Sequence, residues 1–167
     1  ILKEYRRKIN WNKVSLDLPL TEELIEEFFE ELSTGVLTKN GIEKGCLFSQ
    51  NTKINWTESL IDKYKNYLHW PSILKNPSIP WDQFLIDKYL PKEKGKNLDW
   101  LNLSSNPGIK WDEHLITKYY SFLYINCLID YSEIFWDTKL LNTALQNIEF
   151  ENQKLYLSYF SKITNVK

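Results

Sequence analysis

Apolar residues recur along this chain at helical spacing, in short stretches that share one phrase. Trp56 opens WTESLIDKY, Trp81 opens WDQFLIDKY, Trp111 opens WDEHLITKY and Trp136 opens WDTKLLNTA, while LTEELIEEF from Leu20 is a degenerate copy. Apolar residues fall four, five and eight places after each lead residue; with Trp81 these are Leu85, Ile86 and Tyr89. That spacing lays one stripe along a helix. The residue after the lead is Thr21, Thr57, Asp82, Asp112 or Asp137, which suits an N-cap. Turn signals such as Asn66 and Pro91 end the stripe. The pattern predicts helices of about ten to twelve residues, too short to be stable alone and therefore stacked on their neighbours.

Each phrase also has an upstream half, WPSILKNPSIP before Trp81 and WLNLSSNPGIK before Trp111, with a weaker copy, GCLFSQNTKIN, before Trp56. Asn51, Asn76 and Asn106 each stand five places before their Trp, and two of them precede Pro, which ends a helix there. The four Trp are separated by 25, 30 and 25 residues, and Leu20 lies 36 before Trp56. The excess lengths match two insertions into a 25-residue unit: Gly35–Gly45, with three of the five glycines and an Asn40-Gly41 turn signal, and Lys92–Lys96. Both read as loops outside the stack. The fold class expected is all-α, a repeat of short helix pairs in one domain over 1–167. Residues 1–45 form a degenerate first unit, 46–147 hold the regular units, and 148–167 contain a capping helix from Ile148 to Ile163. The first unit carries a strongly acidic helix from Thr21 to Leu32.

The phrase W-x-x-L-S-x-N-P-x-I-x-W-[DST]-x-x-L-I-x-K-Y, clearest from Trp100 to Tyr119, resembles a Trp-containing short helical repeat of bacterial proteins. The resemblance covers about residues 45 to 145 and implies an all-helical array with no known chemistry. The period departs from the roughly 33 to 47 residues of tetratricopeptide, ankyrin and HEAT repeats.

Composition narrows the classes. The 167 residues carry 21 Lys plus Arg against 22 Asp plus Glu, a net charge of -1, which lacks the footprint of a general nucleic-acid or membrane-surface binder. Seven Trp, ten Tyr and eight Phe supply a large core and exclude a disordered chain. No stretch approaches the ~20 apolar residues of a membrane span. The opening residues lack a signal peptide's apolar core, although a sequence without Met is read as trimmed. Cys46 and Cys127 are distant and solitary, as buried thiols of a reducing compartment are. The expected location is cytoplasmic.

Candidate chemistry is sparse. The Trp set could form an aromatic cage or stacking platform, but its shared register with Leu and Ile favours core anchors. Trp70 and Trp100 share a register and are expected in the core; Trp11 is expected to be partly exposed. Glu22, Glu23, Glu26, Glu27, Glu30 and Glu31 crowd one helix. A di-metal site would draw carboxylates from several helices and add His, so a solvated or partner-facing surface is the better reading. The basic stretch Lys3, Arg6, Arg7, Lys8 and Lys13 could pair with these glutamates. Lys63, Lys88 and Lys118 stand seven places after their Trp and line up if units stack, either as solubilising side chains lying over the Trp rings or as a basic groove. His69 and His114 occupy unrelated positions. No nucleophile–base spacing, phosphate loop or metal pattern occurs, so no catalytic, cofactor or metal residue is assigned.

The function expected is therefore a non-enzymatic protein-interaction module. Its partner would be a protein, plausibly basic, and would meet Glu22, Glu23, Glu26, Glu27, Glu30, Glu31 or the ridge Lys63, Lys88 and Lys118. A toxin-neutralising immunity or inhibitor protein is the sharper alternative. An enzyme with a site on Gly35–Gly45, or a single-strand nucleic-acid binder, stands as the contrasting class.

Overall fold

The computed structural model describes residues 4–38, 41–43, 45–90, 98–131, 134 and 138–145. These residues are mainly helical: α1 Trp11–Asp17, α2 Glu22–Glu27, α3 Phe29–Leu32, α4 Glu58–Tyr64, α5 Trp70–Lys75, α6 Gln83–Tyr89, α7 Leu98–Ser104, α8 Glu113–Tyr119, α9 Ile125–Tyr131 and α10 Thr138–Leu145. Two 3-10 turns, Arg6–Lys8 and Leu47–Gln50, and two strands, β1 Val36–Thr38 and β2 Gly41–Glu43, complete them. The chain divides into two compact units, residues 1–90 with 106–109, and residues 91–105 with 110–167.

The four described caps form as the sequence predicts. Thr21, Thr57, Asp82 and Asp112 each accept a hydrogen bond from the backbone N–H three residues on, at 3.4, 3.2, 2.9 and 2.8 Å. Each satisfies a donor that a helix start leaves orphaned. Trp56, Trp81 and Trp111 are 3%, 5% and 5% exposed, and the aliphatic pair that follows each is buried too.

The first unit is held by a ladder of buried asparagines. Asn51 Nδ2 donates to Ser15 O and Leu18 O at 2.9 and 2.8 Å. Asn76 Nδ2 donates to Ser49 O and Asn51 O at 3.1 and 3.0 Å. Asn106 Nδ2 donates to Leu74 O and Asn76 O at 2.8 and 3.1 Å. Leu18, Asn51 and Asn76 are the C-caps of α1, of the Leu47–Gln50 turn and of α5, so each amide satisfies carbonyls at the end of an earlier helix. Each Asn Oδ1 in turn accepts from the N–H two residues on, in Lys53, Ser78 and Gly108. The packing there is tight: a Cβ on Gly108 would lie 2.2 Å from Pro77 O, so only Gly fits.

In the second unit Trp100 is 1% exposed and lies between Tyr119, at 5.4 Å and 43°, and Phe122, stacked at 4.9 Å. Trp70 and Tyr89 of the first unit repeat the Tyr119 contact, at 5.4 Å and 43°. A hydroxyl staple recurs as well: Ser49 Oγ accepts from His69 N at 3.0 Å, and Ser104 Oγ from Tyr124 N at 3.1 Å.

Several expectations need correction. The regular helices α4, α6 and α8 have seven residues each, not ten to twelve. They stop directly after the Tyr eight places from the lead, and Asn66 and Pro91 follow α4 and α6 within two residues. The acidic helix breaks at Phe28, where φ is -118° and ψ 26°, into α2 and α3. The buried Phe28 ring packs on Trp11 at 5.0 Å. Gly35–Gly45 is not an irregular loop: β1 and β2 pair as an antiparallel hairpin with Thr38 opposite Gly41. Trp70 is half-buried and sends its N–H to Lys65 O at 3.0 Å. Trp136, Asp137, Lys92–Lys96 and the capping helix at 148–167 lie outside the described residues. Among the described residues no helix is long and apolar enough to cross a membrane.

Candidate functional site

The glutamate run and the lysine ridge meet. Lys63 on α4 donates to Glu22 on α2 at 2.8 Å and also pairs with Glu26. Lys88 on α6 donates to Glu58 on α4 at 2.6 Å and pairs with Asp62. In both cases the lysine seven places after the lead reaches the carboxylates two and six places after the previous lead. These bridges link α4 to α2 and α6 to α4 through the same register positions. They are solvent-exposed pairs, which water and salt screen. In the second unit Lys139 on α10 pairs with Glu113 on α8.

The rings beneath the ridge are tyrosines rather than the expected tryptophans. The Nζ atoms of Lys63, Lys88 and Lys118 lie 5.7, 5.2 and 5.4 Å from the ring centres of Tyr64, Tyr89 and Tyr119. The pairing with carboxylates pushes the Lys63 and Lys88 ammonium groups above the ordinary lysine range, through Glu22 then Glu26 and through Asp62 then Glu58.

The glutamates separate by environment. Arg6 pairs with Glu31, holding that carboxyl below its ordinary range, and lies 5.9 Å from the Phe28 ring centre. Part of the basic N-terminal stretch thus does meet the acidic run. Glu23 is lowered by a hydrogen bond from the Thr21 hydroxyl. Glu23 and Glu30 make no ion pair among the described residues. The side chains of Glu22, Glu23, Glu26, Glu27 and Glu30 are all exposed.

Three places after the lead, the outward position carries a different residue in each helix: Glu23 on α2, Ser59 on α4 and Phe84 on α6, with Phe84 57% exposed.

Other candidates have structural roles. His69 is buried as the N-cap of α5, and its Nδ1 lies 2.7 Å from Ser72 Oγ within the first turn of that helix. His114 is exposed on α8. Burial pushes the Cys46 thiol up to about 12, so it stays protonated and unreactive at neutral pH. Among the described residues no three His, Cys, Asp or Glu side chains come together as a metal site.

Sequence reasoning missed the asparagine ladder, taking Asn51, Asn76 and Asn106 only as helix terminators. Their constant offset from Trp was the available signal. It also missed that carboxylates two and six places after the lead answer the lysines at seven. Comparison with protein-family models, curated proteins and solved structures finds no match to this chain.

Proposed function

We propose that the chain is a non-enzymatic protein-interaction module, built as an array of short helical repeats, whose basic protein partner engages the N-terminal half. One observation carries the reading: the glutamate run is only partly neutralised from within. Lys63 takes up Glu22 and Glu26, and Arg6 takes up Glu31, while Glu23 and Glu30 have no ion pair among the described residues. A one-signed helix face opposes its own folding through like charges at i, i+4. Such a face is explained by a partner of opposite sign, which it would also steer in encounter. A toxin-neutralising inhibitor of a basic target is the sharper form of the same reading.

The test has two steps. Affinity capture from the native cell supplies the partner. Reversal of Glu30 to Lys should then slow association several-fold at low salt, with the gap closing as salt rises, and leave the thermal midpoint nearly unchanged. A large fall in that midpoint would mean the field is offset internally. A variant that keeps both its midpoint and its association rate would refute the reading.

A further inference from the structure

We infer that the outward face shared by α2, α4 and α6 is the docking surface of this module, and that it takes a basic peptide segment carrying one aromatic side chain, seated against Phe84. The inference rests on the interaction-module reading and adds the face and the chemistry of its occupant.

The lysine bridges are what define the face. Lys63 joins α4 to α2, and Lys88 joins α6 to α4, each through the same two register positions. The residues three places after each lead must then stand in one row across adjacent helices: Glu23, Ser59, Phe84.

Charge changes along the row. On α2 the exposed face carries Glu22, Glu23, Glu26, Glu27 and Glu30 with no basic residue among them. Lys63 of α4 reaches Glu22 and Glu26 of α2, Lys88 of α6 reaches Glu58 and Asp62 of α4, and α6 itself brings Asp82 and Asp87. Carboxylates are therefore densest on α2 and sparser on α6. Phe84 sits at the sparser end, 57% exposed, with Lys88 Nζ 5.9 Å from its ring centre.

Single exposed apolar residues are ordinary. Phe84 is distinguished by its register, because the same position is Glu on α2 and Ser on α4. The internal packing of the three helices leaves this position free to vary. Ser59, between the two ends, is small enough to let a chain pass close to α4. The row thus combines an aromatic anchor with a charged flank, the division of labour that protein interfaces use for affinity and for encounter.

Two fluorescein-labelled peptides test this with the full chain: a lysine-rich dodecamer with one central Trp, and the same peptide with Ala in its place. At low salt the Trp peptide should bind about tenfold more tightly than the Ala peptide, the scale of an aromatic anchor. Phe84→Ala should erase that difference while leaving Ala-peptide binding and the thermal midpoint unchanged. Replacing Glu23, Glu27 and Glu30 by Gln should weaken both peptides alike and flatten their salt dependence. Equal binding of the two peptides, a difference that survives Phe84→Ala, or no binding of either would each overturn this assignment of the face. The native partner, if captured in the separate experiment above, would then keep the module reading alive without it.

Discussion

Trp56 and Trp81 occupy the same register and are almost equally buried, yet their indole N–H groups differ. Trp56 donates to Asn51 O at 3.0 Å, whereas the Trp81 N–H is buried with no hydrogen-bond partner among the described residues. Trp56→Phe therefore removes a buried hydrogen bond as well as volume. Trp81→Phe removes volume and an unpaired donor together. We expect Trp56→Phe to be the more destabilising by about 1 kcal/mol in urea unfolding, the net worth of one buried hydrogen bond, since Asn51 O keeps the bond from Asn76. The reverse order would show that volume alone decides. At this scale the apolar residues were legible from sequence, because burial follows the stripe. The asparagines were not, since a helix terminator and an amide that satisfies another helix look alike until the partner carbonyls are placed.

Among the elements, the caps were readable because a cap is local: Thr or Asp and the N–H three residues on lie in one turn. The C-terminal ends were readable as well, since Asn66 and Pro91 follow α4 and α6 within two residues, but the starts were not: each helix begins two residues after its Trp, which leaves seven residues rather than ten to twelve. The contact between Phe28 and Trp11 lies outside any local window. The hairpin β1–β2 was signalled by Asn40-Gly41 but hidden by strands of only three residues. Between elements, the exposed charges predict a specific pH response. Thr21 lowers Glu23, Arg6 lowers Glu31 and Lys88 lowers Asp62. A carboxyl lowered in the folded state stabilises fully above its unfolded value, near about 4, and that contribution disappears as pH falls through the folded value. The urea midpoint should drop between about pH 5 and pH 3, and Asp62→Asn should shrink the drop. A midpoint flat across that window would contradict the assignment.

For the larger assembly of the first unit, the shared register of Trp56 and Trp81 was legible because the same residue types follow each, and the lysine bridges from α4 to α2 and from α6 to α4 were not, because they need adjacency that no single helix encodes. The ladder is what makes that unit more than a row of short helices. Asn76 donates to Ser49 O and Asn51 O and accepts from Ser78 N, all in a site where Asn76 is 3% exposed. Asn76→Ala takes the partner from the Ser49 carbonyl and from the Ser78 N–H, while Asn51 O keeps the bond from Trp56, and should destabilise the fold by about 2 kcal/mol. Because Asn76 ties α5 to the Leu47–Gln50 turn alongside the Ser49–His69 bond, the loss should also broaden the unfolding transition. A sharp, nearly unshifted transition would mean that water replaces the amide at no expense.

The ladder also has a direction. In every rung the amide comes later in the chain than the carbonyls it satisfies: residue 51 serves 15 and 18, residue 76 serves 49 and 51, and residue 106 serves 74 and 76. A chain leaving the ribosome therefore always has one unfinished end, at its newest helix, with every earlier one already sealed by what followed it. Synthesis from the N-terminus and completion of structure run the same way, and no finished rung has to reopen to admit the next.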